Sequence, residues 1–179
     1  MNLIGRVIGH FSTITKHRHQ VIKHCFKAGI PIQGLGHDLS KYSPVEFFQG
    51  VKYFTGDRSP NEGERKEYGY SKAWLHHKGR NRHHFEYWTD YNNTSHKVEP
   101  VEMPDRYVAE MFCDRLAACK IYNKEKYKQT DALEYFNKRK GKRFIHQKTS
   151  DKIEMLLKMV AEKGEDETFK YIRNNLVKK

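Results

Sequence analysis

No apolar run in this chain approaches the ~20 residues that a helix needs to cross a bilayer. Its opening, MNLIGRVIGHFSTITKHRH, lacks the long apolar core and cleavage region of a signal peptide, so a soluble, cytoplasmic protein is expected. Cysteine is scarce. Cys25, Cys113 and Cys119 are odd in number and show no CxxC spacing, which speaks against a disulfide framework and a cysteine zinc site and leaves them as small core residues. No run of alternating apolar residues is long enough for a strand, and no segment repeats. Helix-turn-helix, zinc-finger and RNP signatures are missing too. Acidic residues are the minority charge: 34 Lys and Arg against 22 Asp and Glu give a formal net charge of +12, which favours phosphate-bearing partners.

What the chain does have is helical periodicity and histidine. Its 179 residues fit one domain with a sizeable core. Leu3, Ile4, Val7, Ile8, Phe11 and Ile14, then Val21, Ile22, Cys25 and Phe26, recur at helical spacing up to Gly29 and Pro31, as one long helix or two. Ser43-Pro44-Val45-Glu46 has the form of a capping box and starts a helix running to about Phe54. Residues 55 to 69 read as the main loop, and a histidine-rich helical region follows from about Tyr70 to Trp88, with a break possible near Gly79. A polar connection ends at Pro104, after which Val108, Met111, Phe112, Leu116 and Cys119 mark another helix. The lysine-rich remainder holds amphipathic segments at Asp131 to Lys140, Asp151 to Lys163, where Asp151 and Glu154 suggest a second cap, and Glu165 to Val177. The expected fold is all-α: residues 1–125 form a helical core, and 126–179 a basic helical extension packed on the same domain.

Ten of the eleven histidines fall before residue 97. A divalent ion needs several imidazole or carboxylate ligands held together, and separate helices supply them when each presents one on its inner face. His37 and Asp38 stand just before a capped helix, where a turn lets two adjacent side chains point the same way. Asp114 lies in the apolar stretch EMFCDRLAA, four residues after Glu110 and on its face, and a carboxylate buried there needs a partner. His10, His17 and His24 recur every seven residues on one stripe with Val21, away from His19. The same spacing aligns His76 with His83 and His77 with His84 if their helix is unbroken.

The order His, His-Asp, further His, then Asp on successive helices resembles the HD-domain metal-dependent phosphohydrolases, over roughly residues 15 to 120. The resemblance implies an HD-like helical bundle with His17 as first ligand, in HRHQV, the doublet His37-Asp38, in HDLSK, and Asp114 as last, in CDRLAA. More narrowly, HDLSKYSPVEF and HHKGRNRHHFEYW resemble a small family of bacterial and phage proteins that carries no established activity. The paired histidines are denser than is usual in HD enzymes. His77 and His84 are the candidates for further ligation, with the inward member of each pair left open.

The expected cofactor is one or two divalent transition ions, Mn, Fe, Zn, Ni or Co, that lower the pKa of a bound water. Lys41 would neutralise charge developing on the phosphoryl oxygens, Asp38 is a catalytic candidate as well as a ligand, Glu46 or Glu110 would orient water or serve as general base, and Arg80, Arg82 and Arg115 are candidate phosphate clamps. The implied reaction is hydrolysis of a nucleotide or another phosphorylated small molecule, a phosphomonoester or phosphodiester, with residues 55 to 69 and 89 to 104 shaping the pocket. Two alternatives stand beside it: a nucleic-acid-binding protein using NKRKGKR at 137 to 143 and the terminal LVKK, or a non-catalytic HD-like fold with structural metal. Oligomeric state is not readable.

Overall fold

The computed structural model describes residues 1–178. One helix, α1 (Leu3–Ala28), spans the whole first segment and ends where Gly29 takes a left-handed φ of 81°, its N–H returning to the carbonyls of Cys25 and Phe26. Its apolar periodicity divides along its length. Val21, Cys25 and Ala28 are fully buried, whereas Leu3, Ile4, Ile8 and Phe11 near the start stay exposed.

A short helix α2 (Pro31–Gly36) leads to the His37-Asp38 doublet, a 3-10 turn at Leu39–Tyr42, and α3 (Pro44–Lys52). Proline starts α3 as expected, but the capping box does not form. Ser43 makes no side-chain cap bond, and Glu46 turns toward two histidines instead. Gly50 lets α1 approach α3 closely: a Cβ there would lie 2.1 Å from the His10 ring.

Residues 55 to 69 are not simply a loop, because α4 (Pro60–Tyr68) occupies most of them. Ser59-Pro60-Asn61-Glu62 repeats the start signal seen at Ser43, and the helix buries only Glu64, so its polar sequence showed no apolar period. Next comes α5 (Lys72–Lys78), with the Ser71 hydroxyl accepting from the Trp74 N–H. The helix stops at Gly79, so no continuous helix reaches Trp88. The 89–104 connection contains an antiparallel hairpin, β1 (Thr89–Asn92) with β2 (Lys97–Pro100), in register Thr89 to Pro100. Four residues per strand are too few for alternation to register. The fold is therefore mostly helical with one small sheet.

The central helix α6 (Asp105–Asn123) packs along α1 and is buried nearly all round, through Val108, Ala109, Met111, Phe112, Cys113, Leu116 and Ala117. Around it lie α7 (Asp131–Asn137), α8 (Gln147–Lys163) and α9 (Glu165–Tyr171), the last continuing as a π-helical turn at Ile172–Val177. Phe136, Ile153, Leu156, Leu157, Val160 and Ile172 join Val21 and Phe112 in one core, so the basic extension shares the core of the first 125 residues. The expected cap at Asp151 is displaced: α8 begins at Gln147, Asp151 accepts from the Gln147 amide, and Glu154 pairs with Lys140 and Lys158. No helix among the described residues is long and apolar enough to cross a membrane.

Candidate metal centre

Consecutive residues normally point apart, so the first question is how His37 and Asp38 converge. Asp38 adopts a left-handed conformation, φ 54° and ψ 24°, which an aspartate tolerates better than most residues. That reversal sends both side chains inward, and both are almost completely buried. Arg18 on α1 pins the turn, its guanidinium donating to the carbonyls of His37 and Leu35.

Two groups of ligand-type atoms meet at this turn, each with its atoms within 4.8 Å of one another. One comprises His17, His37, Asp38 and Asp114; the other comprises Asp38, His77, His83 and His84. Asp38 belongs to both and divides its oxygens between them. Oδ2 lies 3.4 Å from His37 Nε2, while Oδ1 lies 3.3 Å from His77 Nε2 and 3.5 Å from His83 Nε2. Asp114 Oδ1 is 2.9 Å from His17 Nε2 and 3.6 Å from His37 Nε2, and the Nε2 atoms of His77 and His84 are 2.9 Å apart. Ligands bonded at ~2.0–2.2 Å to one ion stand about 3 to 4.2 Å from each other, so these spacings suit a shared cation.

The polar bookkeeping points the same way. Among the described residues, His37 Nε2, His83 Nε2 and both Asp38 oxygens are buried without a hydrogen-bond partner. Orphaned atoms of this kind would be costly in a finished protein interior; one cation in each group would satisfy them, His37 Nε2 and Asp38 Oδ2 in the first and His83 Nε2 and Asp38 Oδ1 in the second, with the Lys41 ammonium the other charge beside Oδ2.

Three of the imidazoles are tied from behind. Nδ1 of His37 and of His83 lie 2.9 and 3.2 Å from the same Glu110 oxygen, whose partner oxygen accepts from Gln33. Glu46 accepts from Nδ1 of His77 at 2.8 Å and from Nδ1 of His76 at 2.6 Å. A carboxylate accepting at Nδ1 leaves Nε2 as the lone-pair nitrogen, which is the orientation metal ligation requires. The third His/Glu grouping, His37, His83 and Glu110, is thus a supporting shell.

Charge is arranged accordingly. Burial disfavours ionised Asp38, yet His37 and Lys41 hold its carboxyl well below the usual range. Asp114 is likewise driven down, against its burial, by the hydrogen bond to His17 and by the His37 imidazole close by. Burial opposes ionisation of Glu110 as well, but the imidazoles of His37 and His83 lower it to about 2. His84 is kept neutral by burial and by its neighbours His83 and His77. Lys41 Nζ stands 3.1 Å from Asp38 Oδ2, and despite burial the Asp38 and Asp114 charges keep it firmly protonated.

Of the sequence candidates, His17, His37, Asp38, His77, His84 and Asp114 all converge, with Lys41 beside them. His83 converges too. The break at Gly79 and a turn in which Asn81 bonds the His77 carbonyl and Ser40 let both members of the second pair face inward, leaving His76 alone turned aside to Glu46. Glu110 is not placed as a water-activating base, since both its oxygens are engaged behind the rings. Glu46, with both oxygens on imidazoles, is committed in the same way. The three arginines have other contacts: Arg80 bonds the His76 carbonyl, Arg82 the Tyr107 hydroxyl, and Arg115 sits against Met111 and the Phe136 ring. Nothing in the order of residues points to Arg18, whose role depends on the turn it clasps.

No curated protein and no solved structure matches this chain. Residues 6–159, which include every converging side chain, match a family of unknown function, DUF5662, and the chain belongs to that family.

Proposed function

We propose that the chain is a metal-dependent phosphohydrolase of the HD type, acting on a phosphorylated small molecule. The observation that supports it most is the set of four buried, unpartnered atoms on His37, Asp38 and His83. His17, His37, Asp38 and Asp114 would hold one divalent transition ion, Mn, Fe, Zn, Ni or Co, and Asp38, His77, His83 and His84 a second. When bound, a pair of such ions supplies an acidified water and charge stabilisation on both sides of an in-line displacement.

The protein's share is orientation and charge. Glu110 and Glu46 fix the imidazoles, and Asp38 spans the two groups. Lys41 carries an ammonium beside Asp38 that can bond a phosphoryl oxygen as negative charge builds there. In the reaction water oxygen forms a new bond to phosphorus, the phosphorus–ester-oxygen bond breaks, and the departing alcohol leaves with a proton from that water. The nucleic-acid alternative gains little, because within NKRKGKR Lys140 pairs with Glu154 and Arg143 donates to the Phe136 carbonyl.

Elemental analysis of protein purified without added metal, run beside a screen of phosphomonoesters, tests the proposal. The expected result is close to two transition ions per chain and turnover of at least one ester, both lost in Asp38→Ala. Metal retained by D38A, or a loaded wild type inert toward every ester, would overturn it. Metal-dependent folding with no turnover would favour a structural ion.

A further inference from the structure

A cavity of about 80 Å³ opens beside the centre, reaching it at Lys41 and His77. Besides His10, Glu46 and His77, its polar lining includes Thr13, Lys41, Arg58, Ser59, Asn61 and Tyr122. Ile14, Phe54 and Ala73 give it an apolar wall. None of residues 89 to 104 contributes, so of the two segments expected to shape a pocket the one containing α4 does so.

Two features limit what the cavity can take. The first is size: at the ~10–15 Å³ that one buried water occupies, its 80 Å³ has room for about six water-sized atoms, the size of a short organic chain. The second is charge. Lys41 and Arg58 are cationic, and the one carboxylate in the lining, Glu46, is spent on His76 and His77. Arg58 meets Asp57 only through exposed contacts of 3.4 Å, a pairing weak enough to leave its guanidinium free for an anion.

Resting on the phosphohydrolase reading, we propose that this cavity seats the organic part of the substrate. The substrate is a compact phosphomonoester of about three or four carbons, whose far end carries an anionic group held by Arg58. Its phosphate lies toward Lys41 and Asp38, and its polar middle meets the hydroxyl and amide groups of Thr13, Asn61 and Tyr122.

A matched pair of phosphonates that cannot be hydrolysed tests this by calorimetry on the Mn-loaded chain: 3-phosphonopropanoate, with a carboxylate at the far end, and 3-hydroxypropylphosphonate, with a neutral one. Wild type should bind the carboxylate about tenfold more tightly, as one charge-assisted hydrogen bond provides. Arg58→Gln should erase that preference while leaving the hydroxyl compound's affinity within about twofold. Equal affinities in wild type, a preference that survives in R58Q, or a nucleoside monophosphate bound as tightly as the carboxylate would each overturn the assignment. D38A separates the two ideas. Weaker binding of both phosphonates at an unchanged ratio supports the metal reading together with the pocket. No weakening in D38A, with the ratio still Arg58-dependent, overturns the metal reading and leaves the pocket standing.

Discussion

His17 and His24 stand seven residues apart on one stripe of α1 and face the same helix, α6, yet they meet opposite surroundings. His17 points at the Asp114 carboxylate, within a group holding two more side-chain ligands. His24, one residue away on the partner helix, meets the Cys113 carbonyl through Nδ1, while Gln20 and Lys120 approach its Nε2 and Phe169 lies against its ring. Periodicity alone makes the two equivalent. What separates them is whether the imidazole's hydrogen-bonding capacity is used up by the fold: His24 is satisfied at both nitrogens, whereas the atoms around His17 are left facing one another.

The largest effect should distinguish these two ends. Asp38→Ala removes the residue common to both ligand groups, so metal content by elemental analysis should fall from near two per chain to near zero. His24→Ala should leave metal content unchanged and lower stability by about 2 to 4 kcal/mol in urea denaturation, from the cavity and the orphaned Cys113 carbonyl. A H24A protein that loses metal as completely as D38A would erase the distinction drawn here.

Adding metal should act on the same contrast thermodynamically. At about a thousandfold excess over its Kd an ion that binds only the folded chain stabilises it by ~4 kcal/mol, which for a chain of this size raises Tm by roughly 10 °C. Differential scanning calorimetry with and without chelator measures it. In D38A the shift should vanish, while in His24→Gln it should persist in full.

Much of this centre was legible from the order of residue types. A histidine stripe, a His-Asp doublet beside a helix start and an aspartate in an apolar helix are each unusual, and together they suggest convergence. What could not be read is decided by local backbone geometry. His83 and His84 face inward together because the chain turns at Gly79 and Asn81, whereas an unbroken helix would have separated adjacent residues by about 100°. Glu110 shares a face with Asp114, but nothing in that spacing says whether it points to the ion or to the backs of the rings. The helix α4 leaves no apolar period in the sequence because it turns mostly polar residues to solvent, although its Ser-Pro-x-Glu start matches that of α3.

The supporting carboxylates offer a finer test. Glu110 serves His37 in one group and His83 in the other, while Glu46 serves His77 in the second alone. Glu110→Gln should therefore weaken both ions, and Glu46→Gln one of them, each by about 10- to 100-fold. Competitive titration against a chromophoric chelator resolves the two stoichiometric steps. Equal loss at both steps in E46Q would mean that the two ligand groups do not bind separately.

The smallest expected effect concerns the satisfied end. Burial is the main reason the His24 pKa falls from 6.5 to about 4; Lys120 and Lys27 add to it, against the Cys113 carbonyl and Glu165. Between those values the unfolded chain takes up a proton at His24 that the folded chain refuses. Stability from this residue is thus complete above pH 6.5 and is lost as pH falls toward 4. The slope approaches about 1.4 kcal/mol per pH unit in the middle of that window. Other histidines titrate too, so the informative quantity is wild type minus His24→Gln, whose amide can donate to the same carbonyl without titrating. Urea denaturation from pH 7 to pH 5 should show the wild type losing stability faster than H24Q. Parallel curves would mean that His24 is as free to protonate in the folded chain as in the unfolded one, so that its burial does not hold the imidazole neutral.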